Sequence, residues 1–214
     1  MPLRTPFRFA LKLALVLCAV LSTAAASHAQ SPAPGVLGQK FADVNFDVVD
    51  PSGFHDNAYS SGLSVNLPTT PNVDAGFGYA YGWLNTSGAT LREHTFTSSA
   101  TWHAAAPGVK PFLGLGLGYD WTRNAFGALH ANDGAGIWGA GAGVEIPAGT
   151  VAVTPSVSFS DVFRSHAVGA MHYGIEGNCW FTPEVAVYAN VTFTDFTRHH
   201  GNSWMYRTGL RFKF

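Results

Sequence analysis

The sequence predicts an all-β chain closed into an antiparallel, up-and-down transmembrane β-barrel of ten strands. Three observations carry this. Apolar and small polar residues alternate from about residue 39 to the last residue, the alternating segments are long, and charge is scarce. Of 214 residues, 47% are hydrophobic and only 12% charged, about half the charge of an average soluble domain. Aromatics at 14%, with 16 Phe, exclude a disordered chain. With 12 Lys+Arg against 13 Asp+Glu, no cationic surplus is left to neutralise phosphates, which disfavours a nucleic-acid partner.

Residues 1–29 read as a cleaved signal peptide rather than as fold. Arg4, Arg8 and Lys12 precede an apolar run from Leu13 to Leu21, and Ser27 and Ala29 fit the −3 and −1 positions of a cleavage site before Gln30. The apolar run is too short to cross a hydrocarbon core of about 30 Å as a helix. Leu17 before Cys18 does not fit a lipobox. Residues 30–38 are then a short periplasmic segment and 39–214 the barrel. Cys179 is the only cysteine after the signal, so no intrachain disulfide is expected.

Each strand rests on period-2 alternation. Val73, Ala75, Phe77, Tyr79, Tyr81 and Trp83 share one face of residues 72–84, opposite Asp74, Gly76, Gly78 and Gly82. Leu113, Leu115, Leu117, Tyr119 and Trp121 do the same against Gly114, Gly116, Gly118 and Asp120, and Trp138, Ala140, Ala142, Val144 and Ile146 against Gly139, Gly141, Gly143 and Glu145. With these as anchors, strands fall at 39–49, 56–67, 72–84, 90–103, 109–123, 135–146, 150–163, 167–181, 185–196 and 203–214. Most have the length of a tilted membrane strand, about 9–11 residues, rather than the globular mean of about 5–6. Eight strands is the alternative, should 39–49 and 150–163 not span. Connections alternate between short Pro/Gly turns (68–71, 104–108, 147–149, 182–184) and more polar, mostly longer loops (50–57, 85–89, 124–134, 164–166, 197–202). Outer-membrane barrels have this asymmetry.

A soluble lipocalin-like binding barrel also alternates, with its apolar face inward. Here the polar face is mostly Gly, Ser, Thr and Asn, too poor in charge for a soluble exterior. The tryptophans also lie at strand ends: Trp83, Trp121, Trp138 and Trp204 toward the loops, Trp102 toward the turns, as interfacial girdles do. Trp180 breaks parity with Tyr173 and Ile175, so it follows a bulge or points inward.

The last segment, Trp204 to Phe214, alternates to its final residue. Arg207, Gly209, Phe212 and Phe214 resemble the insertion signal of bacterial outer-membrane barrels, a polar residue, then Gly, then aromatics ending in Phe. Over residues 36–214 the chain resembles small porin-like and OmpA/OmpX-type barrels. The resemblance implies residence in the outer membrane of a Gram-negative-type bacterium among lipid and lipopolysaccharide. It also implies delivery by periplasmic chaperones to the barrel-assembly machinery.

Closure is obligatory, because lipid offers no partner for an open sheet edge. Strand one must pair with strand ten. Inward Asp43 and Asp47 then approach Arg211 and Arg207, predicting a lumenal ion-pair seam. Other expected lumenal groups are Asp74, Glu93, Lys110, Asp120, Glu145, His172, Glu176 and Lys213. The inward glycines either leave a narrow polar conduit or relieve strain where a small barrel curves, with larger side chains folding over them.

No cofactor is expected, and no enzyme. The ten-stranded outer-membrane proteases need paired Asp residues facing an Asp–His pair, and neither Asp-x-Asp nor Asp-x-His occurs. Ser165 and His166 are adjacent, which does not fix nucleophile–base geometry. A rim hydrolase acting on lipid or peptide is the alternative from another class. His55, His130, His166, His199 and His200 fall in predicted extracellular connections. Such a rim is a candidate for transition-metal binding or acid titration, although only His199-His200 has close spacing. The run Gly114-Leu-Gly-Leu-Gly118 lacks a following Lys-Ser/Thr and lies in strand, so it is no phosphate loop.

Overall fold

The computed structural model describes residues 35–51, 56–86, 89–104, 108–126, 129–163, 169–197 and 201–214. Ten antiparallel strands close into one barrel: β1 (Phe41–Pro51), β2 (Ala58–Thr70), β3 (Val73–Thr86), β4 (Ala89–His103), β5 (Lys110–Phe126), β6 (Leu129–Ala148), β7 (Val151–Val162), β8 (Ala170–Trp180), β9 (Val185–Phe196) and β10 (Asn202–Lys213). Each pairs with its sequence neighbours, and β1 pairs with β10 from Phe41↔Lys213 to Pro51↔Ser203. The segments 39–49 and 150–163 are full members, as β1 and β7, so the eight-strand count is set aside.

Alternation resolves into an exposed apolar outer face and a polar interior. On β5, Leu113, Leu115, Leu117 and Tyr119 are 53–68% exposed on the outside. The buried side chains are largely polar and face the lumen: Asp43, Asp47, Asp74, Glu145, Asn178 and Arg211. This inverts the packing of a soluble lipocalin-like barrel, whose apolar residues line the interior. Gly108 and Gly149 carry the turn-side reversals before β5 and β7 at φ of 90° and 64°, where a Cβ would be strained.

Two expectations are corrected. The segment 124–134 is not a long loop, because β5 continues to Phe126 and β6 starts at Leu129, with pairs from Arg123↔Asn132 to Phe126↔Leu129. Likewise β3 runs to Thr86 and β4 resumes at Ala89, shortening the connection expected at 85–89. Polar side chains do not interrupt a ladder. Extending the hairpins satisfies backbone groups that would otherwise depend on water. His130 therefore lies within β6 rather than in a connection. His55, His166, His199 and His200, with Ser165 and the signal segment 1–29, lie outside the described residues.

Candidate functional site

The interior is built around two polar clusters. The first follows from closure. The β1–β10 register sets Asp43 opposite Arg211 and Asp47 opposite Arg207. Arg211 donates from Nε to Asp43 Oδ1 at 2.7 Å and from Nη2 to Oδ2 at 2.9 Å. Arg207 grips Asp47 with the same fork, Nε to Oδ1 and Nη2 to Oδ2, both at 2.8 Å. Planar guanidinium matches carboxylate in this bidentate way, which fixes geometry as well as charge.

Arg211 has further partners not foreseen as members of the seam. Its Nη1 donates to Asn178 Oδ1 at 2.6 Å and to Glu176 Oε1 at 3.2 Å, both on β8 across β9. The guanidinium also lies 4.5 Å from the Phe41 ring centroid and 4.7 Å from that of Tyr188. Tyr188 in turn lies over Gly209, where a Cβ would meet its ring carbons and the Val44 carbonyl. Asp47 also accepts from Ser60 and Asn45. A cation taken out of water needs its donors filled, and all of Arg211's partners come from neighbouring strands of this one wall.

The second cluster closes the turn-side mouth. Residues 35–40 precede β1 and cross the opening instead of continuing the strand. The Val36 and Leu37 amides donate to Glu145 Oε2, Leu37 at 3.2 Å. The Gly38 amide donates to Asp74 Oδ2 at 2.9 Å. Lys110 Nζ donates to the Leu37 carbonyl at 3.1 Å, and Asn66 Nδ2 to that of Gln39 at 2.9 Å. Asp74 and Glu145 are each 1% exposed, and their carboxylates are met chiefly by backbone donors and by Lys110 3.9 Å from Glu145, with the His103 ring 3.6 Å from Asp74. At Gly35 a Cβ would displace the Glu145 carboxylate from its place on the strap. Gly38 has φ of 80°, the left-handed conformation that lets the strap turn beside His103.

Trp180 points inward, because β8 keeps one register with β7 from Val151↔Cys179 to Ser160↔Ala170 and contains no bulge. Its ring lies 4.0 Å from Lys213 Nζ. Trp102, Trp121, Trp138 and Trp204 are exposed on the outer face and Trp83 is half-buried there. Toward the loops, rings follow one another around the outside: Phe46, Tyr59, Trp83, Tyr81, His94 and Trp121, with centroids 5.0–6.1 Å apart. Of the C-terminal pattern, Arg207 and Gly209 face the lumen and Phe212 and Phe214 the outside. His172, another expected lumenal group, bridges Ser160 at 2.7 Å and Thr194 at 2.9 Å.

No protein-family model matches the chain, and no curated protein matches it by sequence. Solved structures of similar fold include three barrels. The translocator domain of the autotransporter NalP from Neisseria meningitidis is 10% identical, with 94% of this chain and 96% of that chain covered and a TM-score of 0.49. The outer membrane protease OmpT from Escherichia coli is 8% identical over 85% and 98%, with a TM-score of 0.49. The N-terminal β-barrel domain of Pseudomonas aeruginosa OprF is 15% identical over 85% and 100%, with a TM-score of 0.42.

Proposed function

We propose that the chain is an integral outer-membrane barrel that is not an enzyme, and that it serves as a structural and interaction barrel with a filled, turn-side-capped lumen. The observation that carries this reading is the exposed apolar band of the outer face, with Leu115 at 68% and Leu113 and Leu117 both at 59%. A continuous surface of that kind needs a lipid surround. The strap at residues 35–40 and the Arg211 cluster supply the filling. The lumenal carboxylates Asp43 and Asp47 are occupied by arginines, which supports a structural role for them over acid–base chemistry.

A narrow channel is the second reading, favoured by β5, where a Cβ on Gly114 or Gly116 would find its nearest neighbour only at 3.6 Å. One experiment separates the two. Purified protein in planar bilayers gives no discrete conductance steps if the cap and filling hold. Steps of uniform size in the unaltered chain select the channel. Heat-modifiability on a gel, with tryptophan quenching by lipid, tests the membrane barrel itself. Hydrolysis of any member of an ester and peptide panel by refolded protein would overturn the non-enzymatic reading.

A further inference from the structure

The outer face carries two neighbouring cations. Arg92 on β4 stands in register with Arg123 on β5, both exposed, and the flanking positions of that row are Trp83 on β3 and Asn132 on β6. Like charges directly opposite across a ladder destabilise it. Among the described residues neither guanidinium forms an ion pair; Arg123 Nε reaches only Asn132 Oδ1 at 3.3 Å. Glu93 and Asp133 adjoin this row in sequence, but alternation turns them toward the lumen. The outward carboxylates toward the loops, Asp50, Asp161 and Asp195, stand on β1, β7 and β9.

Height on the barrel indicates what meets this pair. From the turn-side row, Val73–Trp102–Leu113–Ala142, to the Arg92–Arg123 row is ten positions along β3, Val73 to Trp83. At about 3.3 Å per residue and a tilt of about 40°, that is roughly 25 Å along the axis, the height of an outer-membrane apolar band. The arginines therefore stand where acyl chains end and headgroups begin. Immediately below them lies the row Tyr81–His94–Trp121. The five side chains enclose an outward cleft of about 220 Å³, with apolar ring faces on the membrane side and cations above.

We propose that Arg92 and Arg123 form a site for the phosphorylated headgroup of an outer-leaflet lipid, its phosphate held by both guanidinium forks and its acyl chain lying along Tyr81 and Trp121. The site rests on the membrane reading above. It answers the repulsion between the two cations, and guanidinium suits phosphate because its planar donors are matched by phosphate oxygens.

The test uses the full barrel folded into phosphatidylcholine vesicles doped with lipid A, either bisphosphorylated or dephosphorylated, with bound lipid counted by native mass spectrometry after extraction. The unaltered chain retains the bisphosphorylated lipid about tenfold more than the dephosphorylated one. Arg92→Gln and Arg123→Gln each remove most of that preference, by a factor of roughly ten for a lost charged hydrogen-bond partner, and Lys40→Gln, an exposed cation at the other end of the barrel, leaves it intact. Equal retention of both lipids, or a preference that survives both Gln variants, overturns the site while heat-modifiable insertion leaves the membrane barrel standing. Failure of the unaltered chain to insert into any vesicle overturns both.

Discussion

The wall running through β8, β9, β10 and β1 and the wall running through β3, β5 and β6 satisfy the same closed ladder in opposite ways. The first fills its share of the lumen with long charged and aromatic side chains, Arg207, Arg211, Tyr188 and Trp180. The second is lined by glycines, and its neighbours fit against the bare backbone: Phe112 over Gly143, Ser99 over Gly76 and Ser158 over Gly141. Small barrels must fill their interior with side chains. Here one wall carries long side chains of its own while the other takes side chains of adjacent strands against bare backbone, so equal substitutions on the two walls have unequal consequences.

The comparison breaks most readily at Arg211. Asp43→Ala removes a carboxylate that accepts two hydrogen bonds from a guanidinium only 4% exposed. A loss of about 3 kcal/mol is expected, the cost of breaking a buried ion pair although Glu176 and Asn178 still hold Nη1, read from urea unfolding of the vesicle-folded barrel by tryptophan fluorescence. Gly143→Ala comes next. A Cβ there meets the Phe112 ring at 2.5 Å and the Pro155 carbonyl at 2.6 Å, and overpacking of this kind costs about 1–3 kcal/mol. Arg207→Gln should cost less than Asp43→Ala, about 1–2 kcal/mol, because the Arg207 side chain is 36% exposed and Asp47 keeps Ser60 and Asn45. Gly116→Ala, whose Cβ would find its nearest atom at 3.6 Å, should stay within about 0.5 kcal/mol. If Gly116→Ala proved as damaging as Gly143→Ala, the glycine wall would be selected for backbone curvature rather than for fit.

The strands and the seam were legible because both follow from periodicity. Alternation assigns each strand's faces, and closure then forces β1 onto β10, which leaves Asp43 and Asp47 facing the inward arginines of β10 in register. The rest depends on partners that no local pattern announces. Gly35 and Gly38 read as part of a short periplasmic segment before the barrel, and only Glu145 and Asp74, on other strands, turn that segment into a cap. The polar stretch between Arg123 and Asp133 has the composition of a loop, yet its backbone pairs in the β5–β6 ladder, which side-chain polarity does not prevent. Arg92 stands singly in sequence. Its neighbour Arg123 joins it only through register.

Counting around the ring gives the strap at residues 35–40 a mechanical meaning. Gly35 reaches β6 and Phe41 begins β1, five strands away in either direction, so this short stretch spans the full diameter at one end. A hoop tied across its width resists being squeezed into an ellipse. Lateral pressure should therefore flatten the turn-side rim less than it would flatten a rim without such a tie.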